Sequence, residues 1–269
     1  LWAGPKDHDP GEHDYPAWQQ GWQKLLSQLP NTRVSIAQDW PEPSHFDFAD
    51  VIVGYLWNHD WSAKRYEQLD RYFARGGGMV LIHAATIADN EPEELAKRMG
   101  LAFHPSLKWR HGPLTLEPIG VKNPIFAGIG KIELLDETYH PPVGETTRVN
   151  LLATSQEEGK PWPMIWTYEP DKGRVFGCVL GHYSWTFDDP VFRVLLLRGI
   201  AWAGKRQNID ELCKPAELGD ALRYVEGGCP SPQELPKALE VHPEFNLSLV
   251  ASEPLVNKVM NLDRFDLKK

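Results

Sequence analysis

The chain has 269 residues, 42% hydrophobic and 24% charged, enough to bury a sizeable core in one large domain with room for an appendage. Its formal net charge is -9, and no Lys/Arg-rich run is present, which argues against a nucleic-acid partner. No stretch approaches the ~18 consecutive apolar residues of a membrane span, and three cysteines are too few for a disulfide scaffold.

Leu1-Trp2-Ala3-Gly4 reads as the tail of a strand already running, so the chain is expected to be a piece of a longer protein. Tyr15 to Leu29 carries Trp18, Trp22, Leu25, Leu26 and Leu29 at helical spacing, with Pro16 suited to the first turn. Arg33 to Ala37 reads as a short strand. Asp50 to Tyr55 is a near-continuous apolar run, as in a strand covered on both faces. Ser62 marks the start of a helix through Leu69, Tyr72 and Phe73, which stops at Gly76-Gly77-Gly78. That triplet follows a helix and precedes a strand, the reverse of a phosphate loop.

Met79 to His83 is the next buried strand, and Glu91 to Met99 a short helix. Strand-like pieces follow at 114–116 and 132–135, then at 149–153, 164–168 and 174–180. Asp189 to Trp202 is an apolar helix, with Asp188 or Asp189 as its cap and Pro190 in its first turn. Alternating strands and helices predict an α/β fold: a doubly wound, mainly parallel sheet with extra, antiparallel strands in the second half. Beyond residue 203 the chain is rich in Pro, Gly and charge and reads as a linker or arm.

In open α/β sheets ligands bind beyond the carboxyl ends of the strands. His83 ends one strand and His182 follows another. Asp136, Glu137, Tyr139 and His140 follow a third, and Asp7, His8, Glu12, His13 and Asp14 follow the first. One rim would collect all four groups. Imidazoles from separated loops can hold a divalent metal such as zinc, although no H-E-x-x-H or paired C-x-x-C spacing is present. Leu81-Ile82-His83-Ala84-Ala85 offers no nucleophile at the turn, which disfavours covalent Ser or Cys chemistry. No G-x-G-x-x-G motif supports a nucleotide cofactor.

Trp109-Arg110-His111-Gly112-Pro113 reads as a polar loop in which Arg110 either forks onto a ligand or pairs with a surface acid. The eleven tryptophans fit either a Trp-rich core or a surface that stacks on sugar rings. Cys178 reads as a core thiol. Whether Cys213 and Cys229 pair stays open.

Taken together, Gly11-Glu12-His13-Asp14-Tyr15-Pro16-Ala17-Trp18, the strand ending in His83, Asn123-Pro124-Ile125-Phe126, Asp136-Glu137-Thr138-Tyr139, and Gly173-Arg174-Val175-Phe176 leading to Gly181-His182 resemble the ThuA-like family, named for trehalose utilisation. The resemblance covers residues 1–203. It implies a flavodoxin-like fold related to class I glutamine amidotransferases, with His83 where those enzymes carry the elbow cysteine, so glutaminase activity is not expected.

Residues 245–255 resemble the opening of a propeller-type dehydrogenase module that follows such domains in large exported bacterial proteins. A covalent fusion and an extracytoplasmic, periplasmic location are the corresponding expectations. The resemblance implies a hydrolase or lyase acting on a glycoside, including an oxidised 3-keto form; the alternative is a non-catalytic sugar-binding module. For the enzyme, Glu137 and His111 are the candidates for proton transfer and His13, His83 and His182 for the metal. Asp14, Trp109, Arg110, Tyr139, His140 and Trp185 are the candidates for holding the sugar.

Overall fold

The structure is a computed structural model and describes residues 1–119, 123–219 and 221. Cys229 and the module-like segment 245–255 lie outside the described residues.

Among the described residues eight strands form one sheet: β1 (Trp2–Ala3), β2 (Val51–Tyr55), β3 (Gly78–Ile82), β4 (Lys108–Pro118), β5 (Ile132–His140), β6 (Asn150–Glu157), β7 (Lys160–Tyr168) and β8 (Arg174–Cys178). Their order is β1-β2-β3-β8-β7-β6-β4-β5. The first four pair in parallel and the rest antiparallel, so the sheet is mixed and the antiparallel extension is as expected. The helices are α1 (Tyr15–Leu26), α2 (Pro43–Phe48), α3 (Ala63–Ala74), α4 (Pro92–Met99) and α5 (Pro190–Ala203).

Strand alternation divides the core between the sheet's two faces. Val80 and Ile82 of β3 pack in one apolar cluster with Trp18 and Trp22 of α1 and Leu195 and Leu196 of α5. Met79 and Leu81 pack in the other with Leu69 and Phe73 of α3 and Leu95 of α4. With helices on both sides, β2 and β3 have no wet face, which explains their unbroken apolar runs.

Local signals account for the element ends. Asp189 caps α5, its Oδ1 accepting from the N–H groups of Val191 and Phe192 at 2.9 Å each. Gly76 stops α3 in the left-handed region at φ +99. The expected strand at 33–37 is reduced to one bridge between Ala37 and Trp2. Ile36 is 46% exposed, so that segment has no apolar face to hold it down as a full strand.

The larger correction concerns β4 and β5. The expected loop at 109–113 lies inside β4, and residues 136–140 lie inside β5 rather than after it. Their register pairs His111 with Glu137 and Trp109 with Tyr139. Among the described residues no helix is long and apolar enough to cross a membrane.

Candidate metal centre

Because β1, β3 and β8 run parallel, their carboxyl ends share one edge. His13 comes from the loop after β1, His83 directly follows β3, and His182 follows β8 across a short turn. Gly181 makes that turn at φ +121, where a Cβ would also press on Ile82 and Phe187 at 3.0 and 3.1 Å. Glu137 is delivered from within β5. All four residues are buried.

Their polar atoms converge. His83 Nε2 lies 2.8 Å from His13 Nε2 and 3.3 Å from His182 Nδ1. His13 Nε2 and His182 Nδ1 are 3.1 Å apart. Glu137 Oε2 stands 3.1 Å from His182 Nδ1 and 3.3 Å from His83 Nε2. The outward nitrogens are engaged elsewhere: His83 Nδ1 donates to the Val179 carbonyl at 2.7 Å, and His13 Nδ1 meets Asp7 Oδ1 at 2.8 Å. In neutral imidazoles those outward protons leave lone pairs on the inward nitrogens. Lone pairs facing each other at 2.8 Å repel unless a cation lies between them. Outward N–H groups held by a carboxylate and a carbonyl are also the usual outer shell of metal-bound histidines.

Two of the eight non-glycine residues with positive φ among the described residues belong to this cluster. His13 and His83 both adopt left-handed conformations, at φ 43 and φ 56, which cost energy in residues other than glycine and collect at functional sites.

Burial pushes the His13 imidazole down to about 3, against the opposing pull of Asp7. Burial likewise lowers His182, with Glu137 opposing. Burial alone would raise Glu137, but the adjoining imidazoles of His182 and His83 hold it well below the usual carboxylate range. The unfolded chain protonates His13 near 6.5 and the folded chain only near 3. Between those values the unfolded state binds more protons, so metal-free protein is expected to lose stability as pH falls from 6.5 toward 3. Urea midpoints across this range test it; His13→Gln should flatten the slope, and an equally steep slope in that variant would contradict the assignment.

Around this core, Tyr139 OH lies 2.9 Å from His83 Nε2. His111 links to Glu137 Oε1 through Nε2 at 3.0 Å and to Tyr183 OH through Nδ1 at 2.9 Å. Its side chain is 35% exposed, so it reaches solvent. Trp109 is 62% exposed, with its ring centroid 5.0 Å from that of His111. Trp185 stacks on Tyr183 at 4.1 Å. The structure therefore gathers His13, His83, His182, Glu137, His111, Tyr139 and Trp109, with Trp185 at the margin behind Tyr183.

Three expected residues are not brought together with these. Two-residue alternation turns Arg110 and His140 away from the face of His111, Glu137 and Tyr139. Arg110 makes a bidentate pair with the buried Glu157 at 2.7 Å, and His140 stacks on Trp162. Asp14 caps α1 and lines a separate cavity of about 430 Å³ with Trp18 and Trp22. Arg110→Ala is accordingly expected to leave turnover within about twofold while costing about 1–3 kcal/mol of stability, because Glu157 keeps its burial and loses its partner. Parallel kinetics and denaturant curves check this; a large loss of turnover at unchanged stability would contradict it.

Sequence reasoning assigned no role to Tyr15, Tyr183 or Asp136. Tyr15 OH lies 2.7 Å from His13 Nδ1. Asp136 is fully buried and accepts from the backbone N–H groups of Glu137, Gly181 and His182 at 2.7, 2.9 and 3.0 Å, tying β5 to the His182 turn. Its signals in the sequence were its place among the rim acids and in the Asp136-Glu137-Thr138-Tyr139 motif.

Residues 19–203 match the family model described as ThuA: Trehalose utilisation. His83, Glu137 and His182 fall inside that segment and His13 just before it. Among solved structures, a ThuA-like protein from Parabacteroides merdae aligns with TM-score 0.60 and 20% identity, over 76% of this chain and 88% of its own. A ThuA-like protein from Bacteroides uniformis aligns with TM-score 0.57 and 16% identity, over 75% and 89%. At such identities the likeness shows a shared fold. No curated protein matches the chain.

Proposed function

The chain belongs to the ThuA, trehalose utilisation, family, and from that premise we propose that it is a metal-assisted carbohydrate enzyme, a lyase or hydrolase whose substrate is a glycoside in its 3-keto form. The observation that carries this reading is the convergence of three imidazole nitrogens and one carboxylate on a single point. The parallel half of the sheet is read as a flavodoxin-like, doubly wound core in which the elbow position holds His83, a ligand, in place of a nucleophile.

A keto group acidifies the C–H beside it. A divalent ion bound here would supply the positive charge that a developing enolate oxygen needs. His13, His83, His182 and Glu137 are the residues that would hold it. Glu137 is thereby assigned to the metal rather than to proton transfer, and its other oxygen orients His111.

His111 is the base. It takes the proton from the carbon between the carbonyl and the glycosidic carbon, and that C–H pair becomes the enolate double bond. When the electrons return, the glycosidic C–O bond breaks, and the departing oxygen recovers the proton from His111. Addition of water to the resulting enone completes hydrolysis. Trp109 offers an exposed indole face for the sugar beside the base, and Tyr139 a hydroxyl at the ring's oxygens.

Purified protein supplied with manganese, iron(II), cobalt or zinc should release the leaving group from a 3-keto-glucoside. An unchanged substrate under all four conditions contradicts the proposal. Trp109→Ala should weaken binding roughly tenfold, about 1.4 kcal/mol, with kcat little changed. Unaltered KM in that variant would remove Trp109 from the site.

A further inference from the structure

The spacing of the four ligand atoms discriminates between coordination polyhedra. Five of the six separations are short: 2.8, 3.1 and 3.3 Å among the imidazole nitrogens, and 3.1 and 3.3 Å from Glu137 Oε2 to His182 and His83. The sixth pair, His13 and Glu137, makes no direct contact yet lies within 4.8 Å.

With metal–ligand bonds of about 2.1 Å, a tetrahedron has six equal edges of about 3.4 Å. At the same bond length an octahedron places neighbouring ligands about 3.0 Å apart and opposite ones about 4.2 Å apart. Four ligands on an octahedron always include an opposite pair. One long separation among five short ones does not fit a tetrahedron and fits an octahedron with one opposite pair occupied.

We infer that the centre takes a six-coordinate divalent transition metal of the manganese–iron–cobalt class, with His13 opposite Glu137 and two adjacent positions left for a substrate that binds through two neighbouring oxygens. Three imidazoles suit these ions better than magnesium or calcium, which prefer oxygen ligands. A tetrahedral zinc would be saturated by four protein ligands and keep no position for chemistry.

The two remaining positions lie opposite His83 and His182, hence side by side. A carbonyl and the hydroxyl on the next carbon fill such a pair as a five-membered chelate. Resting on the functional reading above, this narrows the substrate to an α-hydroxy-ketone, the group that a 3-keto-glycoside presents. The Tyr139 hydroxyl, 2.9 Å from His83 Nε2, stands beside the centre as a donor to a bound oxygen, and His111, 35% exposed and bonded to Glu137, is the neighbouring residue that reaches solvent.

The test uses the wild-type protein loaded with cobalt(II), whose visible absorption is weak when six-coordinate and intense when tetrahedral. Acetohydroxamate, a chelator with two adjacent oxygens, is the probe. The expected result is a weak spectrum that shifts on adding one equivalent of acetohydroxamate, with cobalt still bound after desalting. An intense tetrahedral spectrum, one indifferent to acetohydroxamate, or failure to retain cobalt overturns the inference. A tetrahedral centre that still cleaves 3-keto-glycosides would remove this inference and leave the functional reading. A weak, shifting spectrum without turnover would uphold the inference and remove that reading.

Discussion

His83→Ala is expected to abolish metal binding and with it turnover. The side chain is fully buried, donates from Nδ1 to the Val179 carbonyl, and sets Nε2 against two imidazoles and a carboxylate. Losing an outer-shell partner of a metal typically costs 10- to 100-fold in affinity; losing a direct ligand should cost more than roughly 100-fold by the same reasoning. His83→Gln, which can still donate to Val179, serves as the folding control. Calorimetric titration with manganese or cobalt measures the loss, and circular dichroism confirms the fold. The variant also separates an enzyme from a sugar-binding module: sugar affinity retained together with lost turnover supports the enzyme, and wild-type metal affinity in a folded variant contradicts the ligand assignment.

Asp136→Ala should unfold the site by another route. Burial pushes this carboxyl above its ordinary range, and the backbone bonds from Glu137 and Gly181 pull it back. Truncation leaves three buried N–H groups without their acceptor, each worth about 1–3 kcal/mol when unsatisfied. An overall loss of about 3–5 kcal/mol is expected, because some groups will find water. Asp136→Asn, able to serve part of the set, should lose less. Denaturant midpoints give the values. The same variants should bind metal more weakly even where they remain folded, since the anchor holds both Glu137 and His182. A stability loss under about 1 kcal/mol would mean that the three N–H groups have other partners.

Much of this was legible in the chain. β2 and β3 announce themselves because helices cover both their faces, and α5 because an acidic cap, Asp188 or Asp189, directly precedes Pro190 and a long apolar run. The three histidines could be grouped because each stands just beyond a parallel strand, and parallel strands end at one edge. β4 and β5 were harder to read. In Ile132–His140 one face looks into a polar centre and the other covers the Glu157–Arg110 pair, so polar residues occupy both parities and two-residue alternation disappears. Lys108–Pro118 adds Gly112-Pro113 in mid-strand. Proximity in sequence groups Arg110 and His140 with the site, whereas strand parity sends them to the other face, where Arg110 pairs with an acid, Glu157. Asp136 went unassigned for the related reason that its partners, Gly181 and His182, are 45 and 46 residues away.

In the proposed centre four ligands from distant stretches of chain share one ion. Elemental analysis after reconstitution with manganese, iron(II) or cobalt and removal of excess metal tests this most directly. One bound ion per wild-type chain and none per chain in His83→Ala are expected. Wild-type protein that emerges metal-free from all three reconstitutions, or a variant that retains the same ion, contradicts it.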